Sequence, residues 1–133
     1  MQPPAALYDT SVVIDVEKVD LREYVDGPAV ISAVTLGELA FGLDGPDSDA
    51  HEARLRQVLR GYEVLPFGVE EAKIYGILAT MLRAVGRNPR PRRLDLQIAA
   101  TAAAARLPVL TLNPDDFRGL VRMVDVVALG RAE

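Results

Sequence analysis

The chain has 133 residues, half of them apolar, with a formal net charge of −4 and no cysteine. That size and composition support one folded domain spanning residues 1–133 and argue against disorder, while the missing cysteines exclude disulfides, thiol nucleophiles and cysteine-bound zinc. The single histidine, His51, lies in a polar stretch; with no signal peptide and no apolar run near the ~18 residues of a membrane span, a cytoplasmic protein without a membrane partner is expected.

Residues 5–8 form a short apolar run after Pro3-Pro4, predicted as a buried first strand with Asp9 at its carboxyl end. Thr10 or Ser11 then suits the cap of a helix over 12–16. Polar, acidic sequence follows until Gly27-Pro28 breaks the chain. Residues 29–33 (AVISA) read as the second strand, and Ser32 or Thr35 can cap a helix over 34–43. Within that helix Glu38 has Val34 at i−4 and Phe41 at i+3. Its carboxylate therefore lies on an apolar face, where burial without a partner costs several kcal/mol (roughly 2–7 for a polar group, more for a charge).

Residues 42–48 read as a loop, followed by a helix over 50–60 begun by Ser48 or Asp49. Leu55, Val58 and Leu59 supply its apolar stripe, His51, Arg54 and Arg56 face water, and Gly61 stops it. A third strand is expected at 62–66, with Tyr62 and Phe67 toward the core. A long helix over 69–85 carries Ala72, Tyr75, Leu78, Ala79 and Leu82 on one face.

Five arginines crowd the next segment (Arg83, Arg87, Arg90, Arg92 and Arg93). An acidic protein is a poor duplex-coating binder, but such a local basic patch suits brief contact with a phosphate backbone. An alanine-rich helix over 94–106 follows, with small side chains that permit close packing. Asp95 in its first turn shares a face with Ile98, Ala99 and Ala102. Residues 108–112 form a fourth strand, a turn carries Asn113, Asp115 and Asp116, and a last strand region lies within 121–129.

Strands alternating with helices imply a three-layer α/β/α domain around a central, mostly parallel sheet of four to five strands. Ligands of such sheets sit beyond the carboxyl ends of the strands. Asp9 and the 113–116 turn both follow strands, and Glu38 and Asp95 are placed in or near first turns of helices, so the topology collects acids along one edge. Two like charges ~4 Å apart repel by about 4 kcal/mol at an effective dielectric near 20. A fold that gathers carboxylates needs a cation there or a raised pKa. An all-oxygen set suits Mg²⁺, which polarises phosphodiesters and lowers the pKa of bound water.

Four segments carry a resemblance to the PIN-domain ribonucleases, specifically the VapC-type toxins of bacterial toxin–antitoxin pairs. LYDTSVVID resembles the opening motif with Asp9, and ISAVTLGELAFG the second with Glu38. RRLDLQIAATA resembles the third with Asp95, and LTLNPDDF the fourth with Thr111, Asn113 and Asp116. They stand in the family's order across residues 5–128. The resemblance implies a PIN-like domain and a metal-dependent endoribonuclease toxin that inhibits translation and growth. It places Mg²⁺ or Mn²⁺ on Asp9, Asp95 and Asp116, with Glu38 ordering or deprotonating a metal water. Ser11, Thr10 and Asn113 would orient these groups. Of the adjacent acids, Asp116 matches the family's aspartate before phenylalanine, and Asp115 is read as a turn cap. Water, not the RNA 2′-hydroxyl, would attack, leaving 5′-phosphate and 3′-hydroxyl ends. A cognate antitoxin is implied as partner, its helix in a groove between surface helices, as is a homodimer that assembles with it into a hetero-oligomer.

Two other classes compete. A PIN-like RNA-binding domain without cleavage would have no use for four mutually repelling acids. A metal-dependent phosphatase or phosphotransfer domain would want Asp-x-Asp after the first strand, where Ser11 stands, or a lysine near the last strand, whereas the lysines are Lys18 and Lys73.

Overall fold

Five short strands lie side by side, all parallel, in the spatial order β3-β2-β1-β4-β5. They are β1 (Ala6–Tyr8), β2 (Ala29–Ser32), β3 (Glu63–Leu65), β4 (Val109–Thr111) and β5 (Val126–Ala128). The computed structural model describes residues 2–41 and 46–133. Most of the expected 42–48 loop and the end of the expected 34–43 helix lie outside the described residues.

β1 is wholly buried because it is the central strand, covered on both faces. Its side chains alternate: Leu7 enters one core cluster with Leu78, Leu96, Ile98 and Phe117, while Ala6 and Tyr8 enter the other with Val12, Ile31 and Leu110. Register places Leu7 beside both Val30 and Val109. The chain steps outward from β1 to β2 to β3, then crosses back to place β4 on the other side of β1. The direction of winding therefore reverses between β1 and β4. That is where an open parallel sheet leaves a crevice beyond its strand ends.

The helices are α1 (Thr10–Ile14), α2 (Ala33–Ala40), α3 (Ser48–Gly61), α4 (Val69–Ala84) and α5 (Arg93–Ala105). α4 and α5 pack along each other, and Leu78 and Leu82 of α4 share one core cluster with Leu96, Ala99 and Ala100 of α5. The alanine run of α5 permits this close approach while its other side lies on the sheet. Arg106 ends α5 in the left-handed conformation at φ 56°, a role glycine usually fills.

Several local expectations change. The cap of α1 is Asp9, not Thr10 or Ser11, so the helix starts two residues earlier than predicted. Ser32 caps α2, and Thr35 is buried within it. On α4, Ala72 is exposed and Ile74 packs on the core instead. On α3, Leu59 is exposed and Gly61 is the last helical residue rather than the stop. The sheet has five strands and is parallel throughout. Among the described residues no helix is long and apolar enough to cross a membrane.

Candidate active site

Asp9 leaves the carboxyl end of β1 and is 4% exposed. Its backbone N–H donates to Leu110 O at 3.0 Å, tying it to β4. Oδ1 accepts from Ser11 Oγ at 2.5 Å and from the Val12 amide at 3.2 Å. Burial pushes the carboxyl above its ordinary pKa; the Ser11 and Thr111 hydroxyls and the amides of Val12 and Ser11 pull it back only in part. Ser11 also accepts from the Leu112 amide at 3.2 Å, so one hydroxyl fastens the start of α1 to the end of β4.

Glu38 stands in the second half of α2, not near its first turn. Thr10 Oγ1 donates to Glu38 Oε1 at 2.8 Å and contacts Thr35 Oγ1 at 3.1 Å. The expected apolar surroundings are real but open: Phe41 is 90% exposed. Val34, Gly37, Phe41, Leu94 and Gln97 line a groove of about 670 Å³ beside Glu38. The carboxylate is half-buried at the groove's edge, not sunk in the core. α2 is itself pinned to α5 by Ser32 Oγ and Thr101 Oγ1 at 2.9 Å.

Asp95 projects from the first turn of α5, where the helix dipole favours negative charge. Its pKa is nevertheless pushed up to about 6. Burial is the largest cause, followed by the charges of Asp116 and Asp9; Arg92 opposes them, and Glu38 adds a smaller upward push. Acids from three other segments therefore act on Asp95. A site of this kind is relieved by a proton or by a bound cation.

Asp116 sits in a 3-10 turn (Pro114–Phe117) after β4, anchored by the buried Phe117. It forms a salt bridge with Arg92, whose side chain, like its own, is one-third exposed. Asp115 is fully exposed and pairs with Arg118 at 2.8 Å, which holds its carboxyl below the ordinary value. Asn113 is exposed, and its side chain makes no cap to the turn. Its backbone does the local work: the N–H donates to Thr111 Oγ1 at 2.9 Å and the carbonyl accepts from the Asp116 amide at 3.0 Å.

Among the described residues, no three acidic or histidine side chains stand close enough to hold a metal ion without rearrangement. The acids share a field rather than a closed cage. Two participants are not apparent from sequence. Thr35 enters through the Thr10 hydroxyl. Arg92, one of the five clustered arginines, stands three residues before Asp95 and pairs with Asp116.

The PIN domain family model matches residues 6–122. Ribonuclease VapC5 of Mycobacterium tuberculosis is 37% identical over 124 residues, covering 89% of this chain and 89% of that protein. Ribonuclease VapC of Rickettsia bellii is 31% identical over 123 residues, covering 84% and 87%. The crystal structure of VapBC-5 from Mycobacterium tuberculosis, a member of the VapBC family of toxin–antitoxin systems, superposes with a TM-score of 0.73 at 30% identity. That match covers 95% of this chain and 99% of that one.

Proposed function

This chain belongs to the PIN domain family, and on that premise we propose that it is a metal-dependent endoribonuclease toxin restrained by a cognate antitoxin. The observation that carries this reading is the convergence of Asp9, Glu38, Asp95 and Asp116 beyond the strand ends, where burial and then the charges of Asp116, Asp9 and Glu38 push Asp95 upward. A binding domain that never cut its RNA would gain nothing from that repulsion. The relatives named as VapC ribonucleases support the same activity.

The donor set fits a hard divalent ion. Asp9, Asp95, Asp116 and Glu38 offer only oxygen, which suits Mg²⁺ or Mn²⁺ over zinc. Asp9 and Asp95 would hold the ion with Asp116. When bound, the ion would supply charge neutralisation at the scissile phosphate and a more acidic water. Ser11 fixes one Asp9 oxygen, so that carboxylate meets its ligand in a set orientation. Thr10 likewise satisfies Glu38 Oε1 and leaves Oε2 to accept a proton from the attacking water. Water attack on phosphorus leaves a 5′-phosphate and a 3′-hydroxyl. Arg93, which lines the groove beside Glu38, would meet a flanking phosphate.

The groove beside Glu38 has the character needed by an apolar-faced antitoxin helix, with Phe41 and Leu94 as anchors. Homodimerisation and a hetero-oligomer with the antitoxin belong to the same proposal, as does growth inhibition through loss of a translated or translating RNA.

The test is cleavage of total cellular RNA by purified, antitoxin-free protein with MgCl₂, with EDTA, and with Asp95→Ala. Discrete cuts that need both cation and Asp95 and carry 5′-phosphate ends are expected. No cutting by the folded protein would favour the RNA-binding reading, and cuts that survive EDTA would remove the carboxylates from the chemistry.

A further inference from the structure

Arg92 stands where the acid site would least be expected to hold a fixed cation of its own. It occupies the N-cap position of α5, three residues before Asp95, and reaches across to the turn after β4. Both partners of the Arg92–Asp116 pair are two-thirds buried, unlike the pairs Arg56–Glu52 and Arg118–Asp115, which are mostly exposed. The pair also joins residues 24 positions apart, so it is a tertiary contact and not a helical accident. A guanidinium that binds a carboxylate oxygen directly removes that oxygen from any other ligand.

We propose that Arg92 is a built-in counterion that holds Asp116 while no divalent cation is bound, and that a cation must displace it from Asp116 to close the site. This rests on the metal-site reading above. Three observations meet in it. Asp116 is the acid at the site committed to a basic side chain. The first turns of α5, which carries Asp95, lie against the turn that carries Asp116, yet no three of the described acids form a cage as they stand. The Arg92 side chain retains one-third exposure, so it has water to retreat into when released. Arg92 thereby makes the acid cluster tolerable in the empty protein and sets a threshold for cation binding. It is a positioning residue, acting through Asp116.

The experiment titrates MnCl₂ into RNA-free and antitoxin-free protein by calorimetry, alongside melting in EDTA. The proteins are the unmodified chain, Arg92→Gln, Arg92→Lys, Asp116→Asn and the double variant Arg92→Gln/Asp116→Asn. Arg92→Gln is expected to melt lower in EDTA yet bind the cation about tenfold more tightly, the size of one displaced, partly screened ion pair. Arg92→Lys, which keeps the charge, should stay within about twofold of the unmodified chain. In the Asp116→Asn background the Arg92→Gln gain should vanish. A merely structural arginine would lower both the melting temperature and the affinity, so equal or weaker binding by a folded Arg92→Gln overturns the inference while leaving the metal site standing. No cation binding by the unmodified chain overturns the site reading and this inference together.

Discussion

Thr10 Oγ1 donates to Glu38 Oε1 at 2.8 Å, joining a residue at the start of α1 to one 28 positions later on α2. Among the described residues no basic side chain pairs with Glu38, so this bond orients it. Thr10→Val keeps the shape of the side chain and removes the donor. Positioning contacts of this sort typically cost 10–100-fold when lost, so RNA cleavage by Thr10→Val should fall by about that factor, with a modest drop in melting temperature because the buried Thr35 hydroxyl loses its partner. Initial rates on a single RNA substrate measure it. An unchanged rate would show that Glu38 needs no help from Thr10.

Ser11 serves two strands at once, donating to Asp9 Oδ1 and accepting from the Leu112 amide. Ser11→Ala leaves a buried carboxylate with one donor fewer and an amide without its acceptor. Leaving such groups unsatisfied costs about 1–3 kcal/mol. Urea unfolding should show that loss with an unchanged m-value. A loss confined to cleavage rate would mean that water replaces the hydroxyl in the fold.

Asp95 predicts how cation-free stability depends on pH. Its folded pKa is raised to about 6 from an ordinary value of 3.8, first by burial and then by the neighbouring acids. The folded state therefore holds its proton more tightly than the unfolded chain. The penalty is full above pH 6 and is relieved as pH falls toward 4, which is the reverse of a salt-bridged aspartate. In EDTA the unmodified chain should gain about 1–2 kcal/mol, after allowance for solvent screening, as pH falls from 7 to 5. Asp95→Asn should flatten that slope and raise the melting temperature at pH 7.5. MgCl₂ should raise the melting temperature of the unmodified chain more than that of Asp95→Asn. Parallel pH curves for the two proteins would refute the shared field.

Asp115 and Asp116 are adjacent in sequence and opposite in setting. Asp115 is exposed and pairs with Arg118, while Asp116 faces Arg92 and Asp95. Asp115→Asn should leave cleavage within about twofold and the melting temperature nearly unchanged, as expected of an exposed pair. Asp116→Asn should lower cleavage by at least tenfold, in keeping with lost ligand or orienting contacts. The reverse ranking, measured on one RNA, would transfer the site role to Asp115.

The sequence could not place the cap of α1. Ser, Thr and Asp all cap helices, and three such residues stand in a row at Asp9, Thr10 and Ser11. Asp9 wins because β1 is pinned between β2 and β4, and the strand's end leaves its carboxylate over the amide of Val12. The face of α4 shifted for a related reason. Ala72 and Ile74 both suit an apolar stripe, and the core beneath α4 takes the larger one.

Local patterns were enough to determine the alternation of strands and helices, the parallel sheet and the placement of Asp9 and Asp116 after strands. Burial periodicity and strand-end position are properties of neighbouring residues, and so they are written along the chain. The partners of the acids were not. Thr10 with Glu38, Ser32 with Thr101 and Arg92 with Asp116 are separated by 28, 69 and 24 positions. Asp95 had Arg92 one helical turn away, yet the guanidinium went to Asp116. Only the juxtaposition of β1 with β4 brings that turn alongside the start of α5, and distance through space, not along the sequence, decides which charges meet.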